Sequence, residues 1–537
     1  MKFDDLIVEY LGEFGRYQRV QFCLVVLPTL FCALHSLSWT FIAPNVSHRC
    51  RLPTDIGEHP IYDIGPSELL TGCDSGNSSN CVYQTCTLKN NQTCQNGYVY
   101  SDYSRYTALE RWDLICDRHI LKPVVQSAYY LGQFLGSLVF GFLGDRYGRK
   151  KIFLTAIGIQ FFSGIGMSLA PTWYLFALFR VGSGFAHPGI FMTAVILGME
   201  LIGPSIRSLA SVISGALFSC GQVFLGLAAY FIADYQHLQM TITLPAVLFV
   251  TYIWLIPESA RWLVSQRRYK EADKILRRAA RQNGKHLPET WWEQLEVDSN
   301  AGSESRGTEK RNFTDLFRTP RIRCRTFVLF YVWPVVSMAY YGMSMKPDIL
   351  GNNPYVNFIA GGIFEIPASV FMFLTVDRLG RKPLLIGGLT TAGLTLLSNM
   401  FISEAVFAWA PTIQFLLSKA SMTLTYSTLY AYTPELFPTE IRNMAVGGCS
   451  MMARIGASSA SFMVMYLVEI YGRQSITIPF STTLILAALT VFLVLPETAG
   501  AALPETITHL EAPKNVSLRT DDNDKSIPLV EKSPSTD

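Results

Sequence analysis

Charged residues are sparse in this sequence. Asp, Glu, Lys and Arg make up 16% of its 537 residues, where soluble domains carry about 25%. With 50% of the chain apolar, a soluble globular protein is excluded. The formal net charge of +3 is too small to mark a nucleic-acid or acidic partner. No GxxxxGK[ST] string occurs, which excludes a phosphate-cradling loop and direct drive by ATP. HExxH is absent too, and no segment reads as a pore-lining filter. An enzyme, a metal site and a bound cofactor are therefore not expected, and neither is a channel. The N-terminus is acidic (Asp4, Asp5, Glu9) where a cleavable signal would be basic, so none is expected.

What is present is a series of apolar stretches, each near the length of about 20 residues that crosses a bilayer as a helix. They lie at roughly 20–43, 122–144, 151–170, 174–198, 208–232, 238–256, 326–345, 355–376, 383–402, 411–433, 444–468 and 476–495. An all-α membrane protein of twelve spans in a lipid bilayer follows. Ahead of the first span, Phe3, Leu6, Ile7, Tyr10, Leu11 and Phe14 fall at helical spacing. They fit a short helix, either lying in the interface or capping the first span. The connection 257–325 carries sixteen Lys and Arg, while the short loops 171–173, 346–354 and 403–410 hold one Lys and no Arg. That asymmetry puts 257–325 and both termini in the cytoplasm. The expected organisation is a cytoplasmic segment 1–19, a first half 20–256 with extracellular loop 44–121, a cytoplasmic linker 257–325, a second half 326–495 and a cytoplasmic tail 496–537.

Six of the eleven cysteines, Cys50, Cys73, Cys81, Cys86, Cys94 and Cys116, fall in loop 44–121. An even number outside the cell reads as a disulfide framework, with the pairing left open. Asn77 and Asn91 sit in glycosylation sequons of the same loop. The other five cysteines read as packing residues.

Several strings occur twice. GFLGDRYGRKK at 141–151 is echoed by TVDRLGRKP at 375–383, ELIGPSIR at 200–207 by ELFPTEIR at 435–442, and PESA at 257–260 by PETA at 496–499. Three markers in one order at a nearly constant offset mean a duplicated six-helix unit. An even number of spans per unit makes the halves parallel repeats, with a substrate site between them near the midplane. In each charged turn Gly144, Gly148 and Gly380 allow close backbone approach. Asp145 and Asp377 are placed to favour the N-terminus of the next helix. Arg149 and Arg381 are placed to pair with Glu200, Glu258, Glu435 or Glu497, and Arg207 and Arg442 close the repeated Glu–Arg strings. This lattice is expected to hold the cytoplasmic side closed and release it as the halves rock.

These strings resemble the signature loops of the major facilitator superfamily. PESARWL at 257–263, ELFPTEIRN at 435–443, WDLIC at 112–116 and the Cys-rich first loop are together similar to the organic cation, carnitine and organic anion transporter family, solute carrier family 22. The seventh span reads PVVSMAYYGMSM and lacks the Gln-Gln-rich motif of sugar porters, which makes a sugar facilitator the distant alternative. The resemblance implies a monomeric plasma-membrane carrier of small organic ions working by alternating access. Whether it is coupled to sodium or to protons stays open.

Ionisable residues inside spans are the best guide to the substrate, because each costs roughly 2.5–3.5 kcal/mol to insert. At 1.5 Å per residue, Glu365 lies about 15 Å into span eight and Arg454 about 15 Å into span eleven. Both are candidate substrate ligands, or else an ion pair with each other. In the family resembled, cation carriers have an Asp where Arg454 stands, and anion carriers a Lys where this chain has Ser369. The string STLYAYTPELFP at 427–438 is close to the carnitine-type form. One acid and one base suit a zwitterion such as carnitine; the alternative is an organic anion. Trp333, Tyr340 and Tyr341 in span seven, with Tyr426 and Tyr430 in span ten, are candidates for cation–π contact with an ammonium group. Arg180 and Lys419 occupy corresponding places in spans four and ten and are candidates for an outer gate. His35 reads as a packing histidine.

Overall fold

The computed structural model of the chain describes residues 3–52, 55, 62, 70–71, 82–83, 85–87, 93–101, 105–293, 313–347, 353–401, 409–501 and 507. Twelve spans arise as expected. The first six are Arg16–Ile42, Leu121–Tyr147, Arg149–Leu169, Trp173–Leu201, Arg207–Phe231 and Tyr235–Leu255. The second six are Pro320–Met345, Pro354–Leu379, Arg381–Ser398, Ala410–Leu436, Arg442–Tyr471 and Gln474–Val494. Among the described residues nine helices are long and apolar enough to cross a membrane. Spans two, nine and ten are more polar. Spans two and ten bury Gln126, Gln133, Gln414, Lys419 and several threonines toward the interior. Span nine begins with Arg381 and Lys382 in a short helix.

The halves are built alike. Span seven packs on span eleven and span nine on spans ten and twelve, as span one packs on five and span three on four and six. Two seams join the halves, span five on span eight and span two on span eleven. They are the same pairing exchanged by the repeat. The described part of the long loop packs against one end of the bundle, and the described linker helices lie at the other.

In that loop, strand His48–Cys50 pairs with Tyr98–Tyr100, and disulfides join Cys50 to Cys94 and Cys86 to Cys116. Trp112 anchors it, donating to the Pro171 carbonyl at 3.1 Å and packing against Phe176 and Tyr235. Cys73, Cys81, Asn77 and Asn91 lie outside the described residues. His48 stands close to Cys86 and Cys116, but both sulfurs are committed to their disulfide and offer no thiolate to a metal. On the linker face, Leu6, Ile7 and Leu11 are buried against Leu263, Leu276, Ala279, Ala280 and Trp291. The N-terminal helix is thus a cap packed on the linker helices, because a helical partner buries its apolar face more completely than a bilayer surface would.

The repeated turns are built differently from expectation. Asp145 and Asp377 lie in the last turns of their helices and pair with Arg149 and Arg381, four residues further on, at 2.8 and 2.9 Å. The anion at each following helix N-terminus comes from the repeated Pro-Glu string instead. Glu258 accepts the Lys150 N–H at 2.9 Å, and Glu497 accepts those of Arg381 and Lys382 at 3.0 Å each. Orphan N–H groups and the helix dipole both favour a carboxylate there. Gly148 and Gly380 lie at φ +103° and +94°, and a Cβ would come within 2.5 Å of Glu258 and 2.7 Å of Glu497. Gly144 needs no such approach, since a Cβ there would meet nothing within 4 Å.

Gly148→Val and Gly380→Val should therefore each destabilise the fold by about 1–3 kcal/mol, seen as a lower thermal midpoint in detergent. Gly144→Ala, in the interior of a helix, should be neutral or stabilising by up to about 1 kcal/mol. Equal losses for all three would remove the Glu-to-turn account.

Candidate substrate site

Span eight carries Glu365 into the bundle at 1% exposure, and span ten carries Lys419 at 0%. The two meet: Lys419 Nζ lies 2.9 Å from Glu365 Oε1. Tyr340 donates to both carboxylate oxygens at 3.1 and 3.2 Å, and Ser219 of span five donates to Oε2 at 2.7 Å. Lys419 also donates to the Ser344 hydroxyl and sits 3.8 Å over the Tyr340 ring. Glu365 is thus fully engaged, and one of its bonds crosses from the second half to the first. Its partner is Lys419 rather than Arg454. Arg180 and Lys419, in corresponding places of the two halves, stand in separate networks.

Arg454 of span eleven is buried, its Nε has no hydrogen-bond partner, and among the described residues no carboxylate pairs with it. It faces Tyr341. From there an aromatic wall runs through the second half. Tyr341 touches Tyr340 at 5.3 Å between ring centroids, Tyr340 touches Tyr426 at 5.6 Å, and Tyr426 touches Tyr430 at 5.5 Å. Trp333 closes it edge-on against Tyr430 at 4.7 Å, with its indole N–H on the Thr433 hydroxyl at 3.1 Å. All five aromatic candidates are brought together, and Tyr430 is the most exposed of them.

The first half contributes Tyr129, Tyr130 and His187, which its sequence pattern did not single out, beside Arg180 and His35, which it did. Tyr130 of span two meets Tyr341 edge-on at 5.2 Å, bridging the halves. Tyr129 shares a hydrogen bond of 2.8 Å with His187. Arg180 is fully buried, donates to Ser38 and Gln126, and lies between the rings of Trp39 and Tyr129. His35 is buried beside Gln239. Tyr and Gln are ordinary in membrane helices, and without knowing which faces meet nothing marks these from the rest.

The hydrogen bonds and ion pairs that cross between halves, among the described residues, lie at the midplane and the loop face. Arg105 reaches Tyr355 at 2.8 Å, and Tyr355 stacks on Phe41, which meets Phe358 edge-on. Glu469 pairs with His119 and Lys122, and His119 stacks on Tyr466. At the linker face each charged lattice stays within its own half. Arg149 contacts Glu200 at 3.7 Å, and Arg381 contacts Glu435 at 3.1 Å. Arg207 pairs with Asp4, at 2.6 Å, and Arg442 donates to the Phe437 carbonyl. In this conformation the halves are joined at the loop face, and among the described residues no lattice pair ties them at the linker face.

At the linker face, Asp4 and Glu497 are shifted. The Arg207 hydrogen bond lowers Asp4, against partial burial and with help from Arg261. Burial raises Glu497, but the N–H groups of Ala499, Thr498, Arg381 and Lys382 outweigh it, leaving the pKa below the ordinary value. Their stabilisation is complete above the ordinary carboxylate range and is lost as pH falls below that range and through their lowered values.

Residues 69–509 match the family described as sugar (and other) transporter. The chain is 35% identical over 526 residues to the organic cation transporter protein of Drosophila melanogaster, covering 94% of each chain. It is 30% identical over 544 residues to organic cation/carnitine transporter 2 of Homo sapiens, covering 96% of this chain and 95% of that one. The xylose transporter of E. coli, in a partially occluded inward-open conformation, superposes with a TM-score of 0.63 over 91% of this chain and all of its own at 16% identity. That likeness speaks for the fold.

Lys419→Ala should leave the Glu365 carboxylate buried without its counter-charge and destabilise the protein by about 3–5 kcal/mol. Lys419→Met combined with Glu365→Gln should recover most of that loss in thermal unfolding of the purified protein. Additive losses in the double variant would mean the two residues do not act as a pair.

Proposed function

We propose a substrate for a chain that belongs to solute carrier family 22, and so is a multi-pass membrane carrier of small organic ions rather than an enzyme. The substrate is a zwitterion of the carnitine type, held between the halves by opposite ends. Arg454, a buried guanidinium that no carboxylate pairs with among the described residues, takes the substrate carboxylate. The faces of Trp333, Tyr426, Tyr430, Tyr340 and Tyr341 take the quaternary ammonium, each such contact worth about 2 kcal/mol when desolvated. The unmatched charge of Arg454 beside a continuous aromatic wall is the observation that carries this reading. Glu365 acts behind the wall: it orients Tyr340 and ties span eight to Ser219.

Transport follows by alternating access. Residues 20–256 and 326–495 rock against each other about the seams of spans five and eight and of spans two and eleven. The loop-face contacts of Arg105, Tyr355, His119 and Glu469 hold the conformation described here. The lattices of Asp145, Arg149, Glu200, Glu258 and of Asp377, Arg381, Glu435, Glu497 keep each half rigid and would meet across the linker face in the opposite state. The basic linker supports a cytoplasmic placement for it and both termini, and the disulfides support an extracellular loop, as in a plasma-membrane protein.

A second reading, an organic anion, is favoured by the neutralisation of Glu365 by Lys419, which leaves positive charge in excess around the site. One uptake experiment separates these, using carnitine, tetraethylammonium and p-aminohippurate normalised to surface protein. Arg454→Asp should weaken carnitine uptake by about 30-fold or more, the loss of a buried charge partner. Tetraethylammonium, with no carboxylate to lose, should be hurt less or favoured. Equal loss of both would contradict the carboxylate role. Uptake of p-aminohippurate alone by the unmodified protein would replace the zwitterion by the anion.

A further inference from the structure

Helix Tyr269–Gln282 lies outside the bundle and takes no part in the site. Its buried face, Ala272, Leu276, Ala279 and Ala280, packs against the N-terminal helix and Trp291. Its other face is basic. Lys270, Lys274, Arg278 and Arg281 are all exposed, and at about 100° per residue their spacing holds them within an arc of roughly 80°. They form one straight stripe.

The acids of this helix are already used. Glu271 binds Arg268 at 2.5 Å, and Asp273 binds Arg277 and the Trp291 indole N–H, each at 2.8 Å. Among the described residues no carboxylate pairs with any of the four cations of the stripe.

Both ends of the helix are pinned to the ends of spans. Before it, Trp262 donates to the Asp145 carbonyl in the last turn of span two at 2.9 Å, and Arg268 lies over the Trp262 ring. After it, the Asn283 side chain accepts the Tyr17 N–H in the first turn of span one at 3.0 Å and donates to Gln18 at 2.7 Å. The helix, about 21 Å long, therefore runs along the linker face at the level where spans leave the bilayer. Arg16 and Arg19, exposed at the start of span one, carry the basic surface to the membrane boundary.

We propose that this stripe is a docking surface for anionic phospholipid headgroups of the membrane in which the chain sits. A cation within a Debye length of an anionic leaflet contributes about a fivefold preference for it. Four aligned cations without internal counter-charges select anionic over zwitterionic headgroups and hold the cap and linker helices against the membrane. The surface is separate from the substrate site, so it stands whichever organic ion is carried.

The test compares the full chain with a K270A/K274A/R278A/R281A variant in phosphatidylcholine nanodiscs with and without phosphatidylserine, counting retained lipid by native mass spectrometry. Among the described residues the four side chains have no ion-pair partner, so the variant should fold; K270R/K274R, which keeps the charge, controls for side-chain loss. The unmodified protein and the Arg variant should retain phosphatidylserine preferentially and lose it as salt rises. The Ala variant should lose at least about tenfold of that preference. Equal retention by the Ala variant and the unmodified protein would overturn the proposal. So would soluble inositol hexakisphosphate binding at the stripe in pure phosphatidylcholine with no preference for phosphatidylserine, which would make it a free-phosphate site.

Discussion

A carboxylate carried into the middle of a membrane bundle must be neutralised there, because the bilayer offers neither water nor a compensating ion. Glu365 meets this demand with Lys419 at 2.9 Å and with hydroxyls from Tyr340 and Ser219. Much of the site follows from that one arrangement. Tyr340 is turned toward the acid, which sets the aromatic wall through Tyr341 and Tyr426. Lys419 is spent on Glu365, so Arg454 remains a buried charge against which, among the described residues, no acid stands. Ser219 belongs to the other half, so the same acid also joins span eight to span five.

The distribution of contacts between halves gives the fold its direction. At the loop face, aromatic stacking around Tyr355 and the Glu469 cluster bind the halves together. At the linker face the repeated charged turns are complete within each half, with Glu258 and Glu497 seated on helix N-termini. A half braced in this way can move as a body, and its partner contacts at one face can be exchanged for contacts at the other without unravelling a helix end. The cap formed by the N-terminal and linker helices belongs to the first half, through Asp4 with Arg207 and Arg261.

The spans were legible in the sequence because an apolar run of about 20 residues has no other stable use. The duplication was legible because the turns need Gly, Asp and Arg at fixed spacing. The aromatic wall was legible in part: Trp333 and Tyr340, seven apart, and Tyr426 and Tyr430, four apart, share faces of their helices. The partner of Glu365 was not legible. Depth along a helix follows from counting residues, but which faces meet depends on how spans eight and ten are rotated, and that is set by packing spread over both. For the same reason the sequence could show that Asp145 and Glu258 lie at one membrane face, yet not that Glu258 caps the next helix while Asp145 pairs with Arg149. Tyr130, Ser219 and His187 carry no periodic or compositional signal of their own.

The central claim is that a buried, unmatched Arg454 selects substrates by their carboxylate. It is tested most directly by equilibrium binding of carnitine and of carnitine methyl ester to the purified protein. The ester keeps the ammonium and the carbon skeleton and loses the negative charge. The account predicts that the ester binds at least about tenfold more weakly, since a guanidinium in a site of low dielectric gives up a charge-assisted hydrogen bond. An ester that binds as tightly as carnitine would contradict it.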